Sequence, residues 1–211
     1  MPTWWTMAWL LSLRITTTLD LPFFGQGEVV TTSVVLSQPQ ADGSRTWKRC
    51  SVHVQTDAPA TTIIPRRFVD ALPERTVQPV LQDGWLTIDP GVEAVGFVDE
   101  GQPIPSSRRD AAVLDHEVDG RPGATVLLDV PLFRRVRLGV IQRNHNVLVG
   151  EIAAGGARGR IEVRLLEQVT LSASVPGFRT SPKPTVVPDR TTFVLVPVPA
   201  ETTCEHVVPK E

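Results

Sequence analysis

The chain has 211 residues, enough for one large β domain, with 41% hydrophobic and 21% charged residues, values ordinary for a globular protein. A formal net charge of −2 excludes a strong global field drawing the chain to nucleic acid or to an anionic membrane. Nineteen prolines and fifteen glycines against two methionines and no tyrosine argue for many short elements and turns, not long helices.

The opening MPTWWTMAWLLSL is apolar, but its first charge is Arg14 and it holds no small-x-small cleavage site, so it does not read as a secretory leader. It is also too short to span a bilayer. Its period is two. Trp5, Met7, Trp9, Leu11, Leu13 and Ile15 fall on one side, and mostly small or polar residues on the other. This is strand alternation, and it predicts a first strand running on towards Leu19, Leu21 and Phe23. If the protein is exported, its leader is expected to be absent from this chain.

Pro22 and Gly25-Gln26-Gly27 are expected to break that strand. Residues 28–37 predict a second strand with Val30, Val34 and Leu36 on one face. Asp42-Gly43 marks the hairpin turn after it. Residues 46–55 predict a third, with Cys50, Val52 and Val54 pointing one way and Arg49, Ser51, His53 and Gln55 the other. Residues 64–72 predict one short helix, started by Pro65 and carrying Phe68, Val69 and Leu72 as its buried stripe.

Further strands are expected at 82–89, 124–130, 136–143, 158–168 and 191–198, with 169–174 extending the fourth of these past a bulge. Residues 99–109 read as a surface loop and Arg143-Asn144-His145-Asn146 as a hairpin tip. Ala153–Gly159 is a glycine-rich hairpin loop and Ser181-Pro182-Lys183-Pro184 a stiff connector. The sum is a single β-rich domain over 1–211, with 199–211 as a C-terminal tail. The fold class is all-β and antiparallel, an up-and-down barrel of lipocalin-like or calycin-like type, with a β-sandwich as the alternative. Closing the barrel would protect the strand edges.

The densest set of ligand-type side chains is Asp115-His116-Glu117-Val118-Asp119-Gly120. Calcium loops set oxygens at alternate positions and a glycine at the sixth, then close with a bidentate acid at the twelfth. Asp115, Glu117, Asp119 and Gly120 meet the first part, but the twelfth position is Val126. The stretch therefore reads first as a polar turn leading into a strand, and second as a calcium site.

The histidines, His53, His116, His145 and His206, are scattered, and no nucleophile elbow, zinc-protease helix, phosphate loop or dinucleotide fingerprint is present. No catalytic residue is expected. Arg66-Arg67, Arg108-Arg109 and Arg134-Arg135 are separated pairs with acids between them, which reads as solvated surface rather than a nucleic-acid site. Trp4, Trp5 and Trp9 cluster on the first strand. They read as core filling or, alternatively, Trp5 and Trp9 as one wall of an apolar pocket at the barrel mouth.

With two cysteines the choice is between one disulfide in an exported protein and two unrelated buried thiols. Cys204 lies in a polar tail where packing alone gives a cysteine no role, which favours a staple.

The order of these features, with the Ala71-Leu72-Pro73 helix end, the acidic Asp119-Gly120-Arg121-Pro122-Gly123 turn, the Val140-Ile141-Gln142-Arg143 strand and Glu167-Gln168, resembles a group of uncharacterised, predicted secreted bacterial proteins without an assigned activity. The resemblance implies an exported β-rich domain with Cys50 paired to Cys204. Relatives often carry a fuller acidic turn; His116 and Glu117-Val118 depart from it. The expected function is a non-enzymatic periplasmic or extracellular barrel that binds a small apolar ligand or serves a structural role in the envelope. The alternative is a calcium-stabilised extracellular module, and a hydrolase is the remaining reading. No cofactor other than calcium, no nucleic-acid partner and no transmembrane segment are expected.

Overall fold

The computed structural model describes residues 3–21, 23–99, 101–131, 133–153 and 155–208. Pro22 of the expected breaker, Glu100 of the expected loop, Ala154 of the glycine-rich loop and tail residues 209–211 lie outside them, as do the side chains of Trp4 and Arg134. The first strand starts later than the alternation suggests. Thr3–Thr6 form a 3₁₀ turn, and β1 runs Ala8–Leu21. Then follow β2 (Gly25–Pro39), β3 (Arg45–Thr56) and β4 (Thr61–Ile63), helix α1 (Arg66–Asp70), β5 (Arg75–Val77), β6 (Val80–Gln82), β7 (Trp85–Ile88) and β8 (Val92–Val95). After a long irregular segment come β9 (Ala124–Val130), β10 (Arg134–Ala153), β11 (Gly156–Ala173), β12 (Thr185–Val186) and β13 (Thr192–Val198), with α2 (Cys204–Val207) in the tail.

Eight strands close a ring in the order β1-β2-β3-β4-β9-β10-β11-β13, and every neighbouring pair is antiparallel. Ring order follows chain order, so the architecture is the expected up-and-down barrel, though an uneven one. β4 has only three residues, which leaves the wall thin between β3 and β9. The α1 residues Phe68 and Val69 fill that opening, packing with Val52, Val95, Ala124 and Val140. Pro65 precedes α1 as its N-cap residue, in line with the helix expected at 64–72.

The tail helix α2 was not anticipated. It folds over the outer face of the first strands, where Cys204 is bonded to Cys50 and both pack with Ala8 and Leu36. The reason lies in β3, where the register against β2 shifts between Val34 and Val35. Arg49 stands opposite Val35, whose side chain belongs to the inner core, while Cys50 joins the outer cluster. A bulge of this kind turns successive side chains to unexpected sides. Cys50 and Val52 thus do not share a face as alternation predicts.

A second difference is at residues 143–146. They are not a hairpin tip; β10 runs straight through them to Ala153, and β11 begins at Gly156, so most of the loop expected at 153–159 is strand. The inward residues of β10, opposite Val126, Ala124, Val95, Glu93 and Ile88, are Leu138, Val140, Gln142, Asn144 and Leu148. The inner surface is therefore apolar, then polar, then apolar. One apolar layer holds Trp9, Leu11, Trp47, Leu86, Ile88, Leu148, Phe193 and Leu195. The other is built around Phe68, Val69, Val95, Ala124 and Val140. Arg49, Glu93, Asn144 and Asn146 form a polar belt between them.

Candidate functional site

The acidic turn is built by backbone geometry. The Gly123 amide donates to the Leu114 carbonyl at 2.7 Å and the His116 amide to the Gly123 carbonyl at 3.2 Å, which closes the loop at its neck. Inside it, Asp115 accepts the Asp119 and Gly120 amides at 2.9 and 2.6 Å. Burial pushes the Asp115 carboxyl up, but these amides, with those of Arg121 and Val118, outweigh it and hold it below the ordinary value. Gly120, at φ 82°, supplies the left-handed turn.

Glu117 Oε1 accepts the Thr125 amide at 2.7 Å, and Asp119 Oδ2 accepts Arg67 of α1 at 3.0 Å. Asp115, Glu117 and Asp119 are thereby brought together: one carboxylate oxygen from each lies within 4.8 Å of the others. His116 does not join them. Its ring packs edge-on against Phe68, and its Nε2 lies 3.3 Å from the Phe68 carbonyl.

Trp5 and Trp9 also meet, edge to face at 5.1 Å, but their end of the barrel is sealed. Trp9 is completely buried, and the Arg45 guanidinium lies 3.4 Å over its ring. Arg45 is itself buried. It donates to the carbonyls of Trp5, Met7 and Ser37 and to the Ser37 hydroxyl at 2.7–2.9 Å. Desolvation pushes its guanidinium down to about 10, still charged at neutral pH. Trp9 is therefore core, and offers no face to a ligand.

The opposite end is open and aromatic. Phe23 stacks on Phe133 at 5.7 Å and lies tilted against Phe178 at 5.2 Å, and Phe133 meets Phe178 edge to face at 5.5 Å. Phe23 is 65% exposed and sits at φ 70°, a left-handed conformation that is a real outlier for a bulky residue. Gly177 makes room for it, because a Cβ there would stand 2.6 Å from the Phe23 ring. Phe178 packs with Val130 and Ala60. Those two residues also line a cleft of about 600 Å³ with Pro59, Thr61, Pro131, Asp129 and Arg135, the last two paired at 3.0 Å. Nothing in the sequence alone points to this site. Phe23 and Phe178 are 155 residues apart in the chain (178 − 23), and no local pattern joins them.

Of the histidines, His53 is exposed on β3, and His206 caps α2 through the Thr203 amide at 3.1 Å. His145 Nε2 lies 2.8 Å from Asp89 Oδ1, a pair that sequence reasoning missed because β8 and β10 must align first to bring it about. Burial raises the Asp89 pKa, but the Gly91 amide, His145 and Arg164 outweigh it, leaving Asp89 below its ordinary value. Arg66 bonds Asp70, Arg67 bonds Asp119 and Arg135 bonds Asp129, so these arginines of the basic pairs are engaged by neighbouring acids. No described helix is long and apolar enough to cross a membrane. No family model, no curated protein and no solved structure matches the chain.

Proposed function

We propose that this protein is an exported, non-enzymatic β-barrel that binds a small apolar ligand at its aromatic end. The observation that carries the reading is Phe23: a large apolar side chain two-thirds exposed, kept in a left-handed backbone conformation and buttressed by two other rings. Strain and exposure together are costly, and they persist where function selects them. The adjoining cleft is shallow and open to solvent, with walls of proline, alanine and valine and one ion pair to orient a polar group. The interior is filled by two apolar layers and the polar belt between them, so the ligand sits on the barrel end rather than inside it. The Cys50–Cys204 disulfide supports export to the periplasm or beyond, since such bonds persist in oxidising compartments.

A test is an NMR titration of the intact protein with the dye 1-anilinonaphthalene-8-sulfonate. Chemical-shift changes are expected to centre on Phe23, Ala60, Val130, Phe133 and Phe178. Changes centred on Trp5, Trp9 and the interior would place the ligand elsewhere than the aromatic end, and no saturable change at all would leave only a structural role in the envelope.

A further inference from the structure

We infer that the Asp115–Glu117–Asp119 turn is a calcium site. Two carboxylate oxygens in this turn are left unanswered by the protein itself. Glu117 spends Oε1 on the Thr125 amide, yet its Oε2 is buried without a partner. Asp119 spends Oδ2 on Arg67, with Arg121 at 3.5 Å and the Thr125 hydroxyl at 3.4 Å, yet its Oδ1 is also buried without a partner. The Asp119 side chain is only 7% exposed. Buried polar atoms are nearly always hydrogen-bonded, and an exception points to an ion or water at that spot. Among the described residues these two are the carboxylate oxygens left in this state, and they fall in the one group of three acids whose oxygens lie within 4.8 Å of one another.

The donor set selects the ion. It is oxygen only: His116 is turned to the Phe68 carbonyl and no sulfur is near, since both cysteines are in the disulfide. Hard oxygens suit calcium or magnesium rather than zinc or copper. A neutral water could donate to both oxygens, but it would leave unanswered the charges of Asp115 and Glu117, which form no ion pair among the described residues; Asp119 alone is answered, by Arg67 and Arg121 on its other oxygen. Calcium tolerates an irregular set of about six to eight oxygens completed by water and backbone carbonyls, whereas magnesium demands near-octahedral order. With Val126 where a closing bidentate acid would stand, affinity falls in the weak range of extracellular modules, about 0.1–1 mM. A bound ion would clamp the end of the irregular 96–123 segment to α1 through Asp119 and Arg67, and to β9 through Glu117 and Thr125. This inference stands independently of what the aromatic end binds.

Thermal melting of the full chain after chelator treatment tests it, with calcium chloride against sodium chloride of equal ionic strength. At about 10 mM calcium the midpoint is expected to rise by roughly 3–10 °C, and the rise is expected to vanish in the Glu117→Gln/Asp119→Asn double variant. Because that variant could be damaged in folding, calorimetric titration of the wild-type protein with calcium chloride is the second measurement, with one saturable site expected. An unchanged midpoint with no saturable heat would overturn the inference. So would an equal rise in a folded double variant.

Discussion

Inside the barrel, Arg49 grips Glu93 with both terminal nitrogens, at 3.1 and 3.0 Å, between two apolar layers. The Glu93 side chain is about nine-tenths buried, so its charge survives there only because the guanidinium and Asn144 answer it. Removing one partner leaves the other stranded. Arg49→Ala is expected to destabilise the protein by about 3–5 kcal/mol, while Arg49→Met with Glu93→Leu restores most of that loss. Urea unfolding of the two variants checks this; equal losses would show that the pair is not what holds the belt together.

The same pair sets an acid limit. Burial pushes the Glu93 pKa up, but Arg49, by charge and by hydrogen bond, outweighs it and holds the pKa below the ordinary 4.5. A depressed carboxyl pKa gives stability that is present in full above the unfolded value and lost as pH falls through the folded one. Glu93→Gln mimics the protonated state. The stability gap between wild type and this variant is therefore expected to be widest near neutrality and to close on acidification below about 4.5. A gap constant from pH 7 to 3 would contradict the assignment.

The disulfide closes a loop of 154 residues between β3 and the tail. In the chain-entropy account such closure contributes about 5 kcal/mol. Cys50→Ser with Cys204→Ser is expected to lose about 2–5 kcal/mol and to free α2 from its seat on Ala8 and Leu36. Hydrogen exchange at residues 204–207 reads the second effect: fast exchange in the variant and slow exchange in the wild type.

Arg45 closes the tryptophan end. Arg45→Lys keeps a charge but loses the planar fork that reaches three carbonyls and a hydroxyl at once. A loss of about 2–4 kcal/mol is expected from the carbonyls left unsatisfied, together with a red-shifted tryptophan emission as Trp9 meets water. An unshifted spectrum would mean that the end is sealed by other contacts.

Much of the barrel was legible where one wall is apolar. β9 falls on the strand expected at residues 124–130, and the Pro65 start marks α1. What misled was polarity facing inwards. Asn144 and Asn146 look like turn residues because turns are polar, yet they are the belt of a continuous 20-residue strand. The bulge at Cys50 likewise reverses a face that the alternating pattern assigns, and nothing local signals it. The acidic turn was readable as a group; its buried orphan oxygens were not, because they depend on Arg67 and Thr125 arriving from α1 and β9. The aromatic end was hidden altogether, since three rings from three turns meet only when the barrel closes.

The ligand-binding reading is tested most directly at Phe23. Phe23→Gly removes the exposed ring and relieves the left-handed strain, so the fold is expected to keep or gain stability, by up to about 1 kcal/mol. The decisive measurement is the affinity of 1-anilinonaphthalene-8-sulfonate for wild type and for Phe23→Gly, read beside their thermal midpoints. The account predicts at least a tenfold weaker affinity in the variant at an undiminished midpoint. Equal affinity in the two proteins would contradict it.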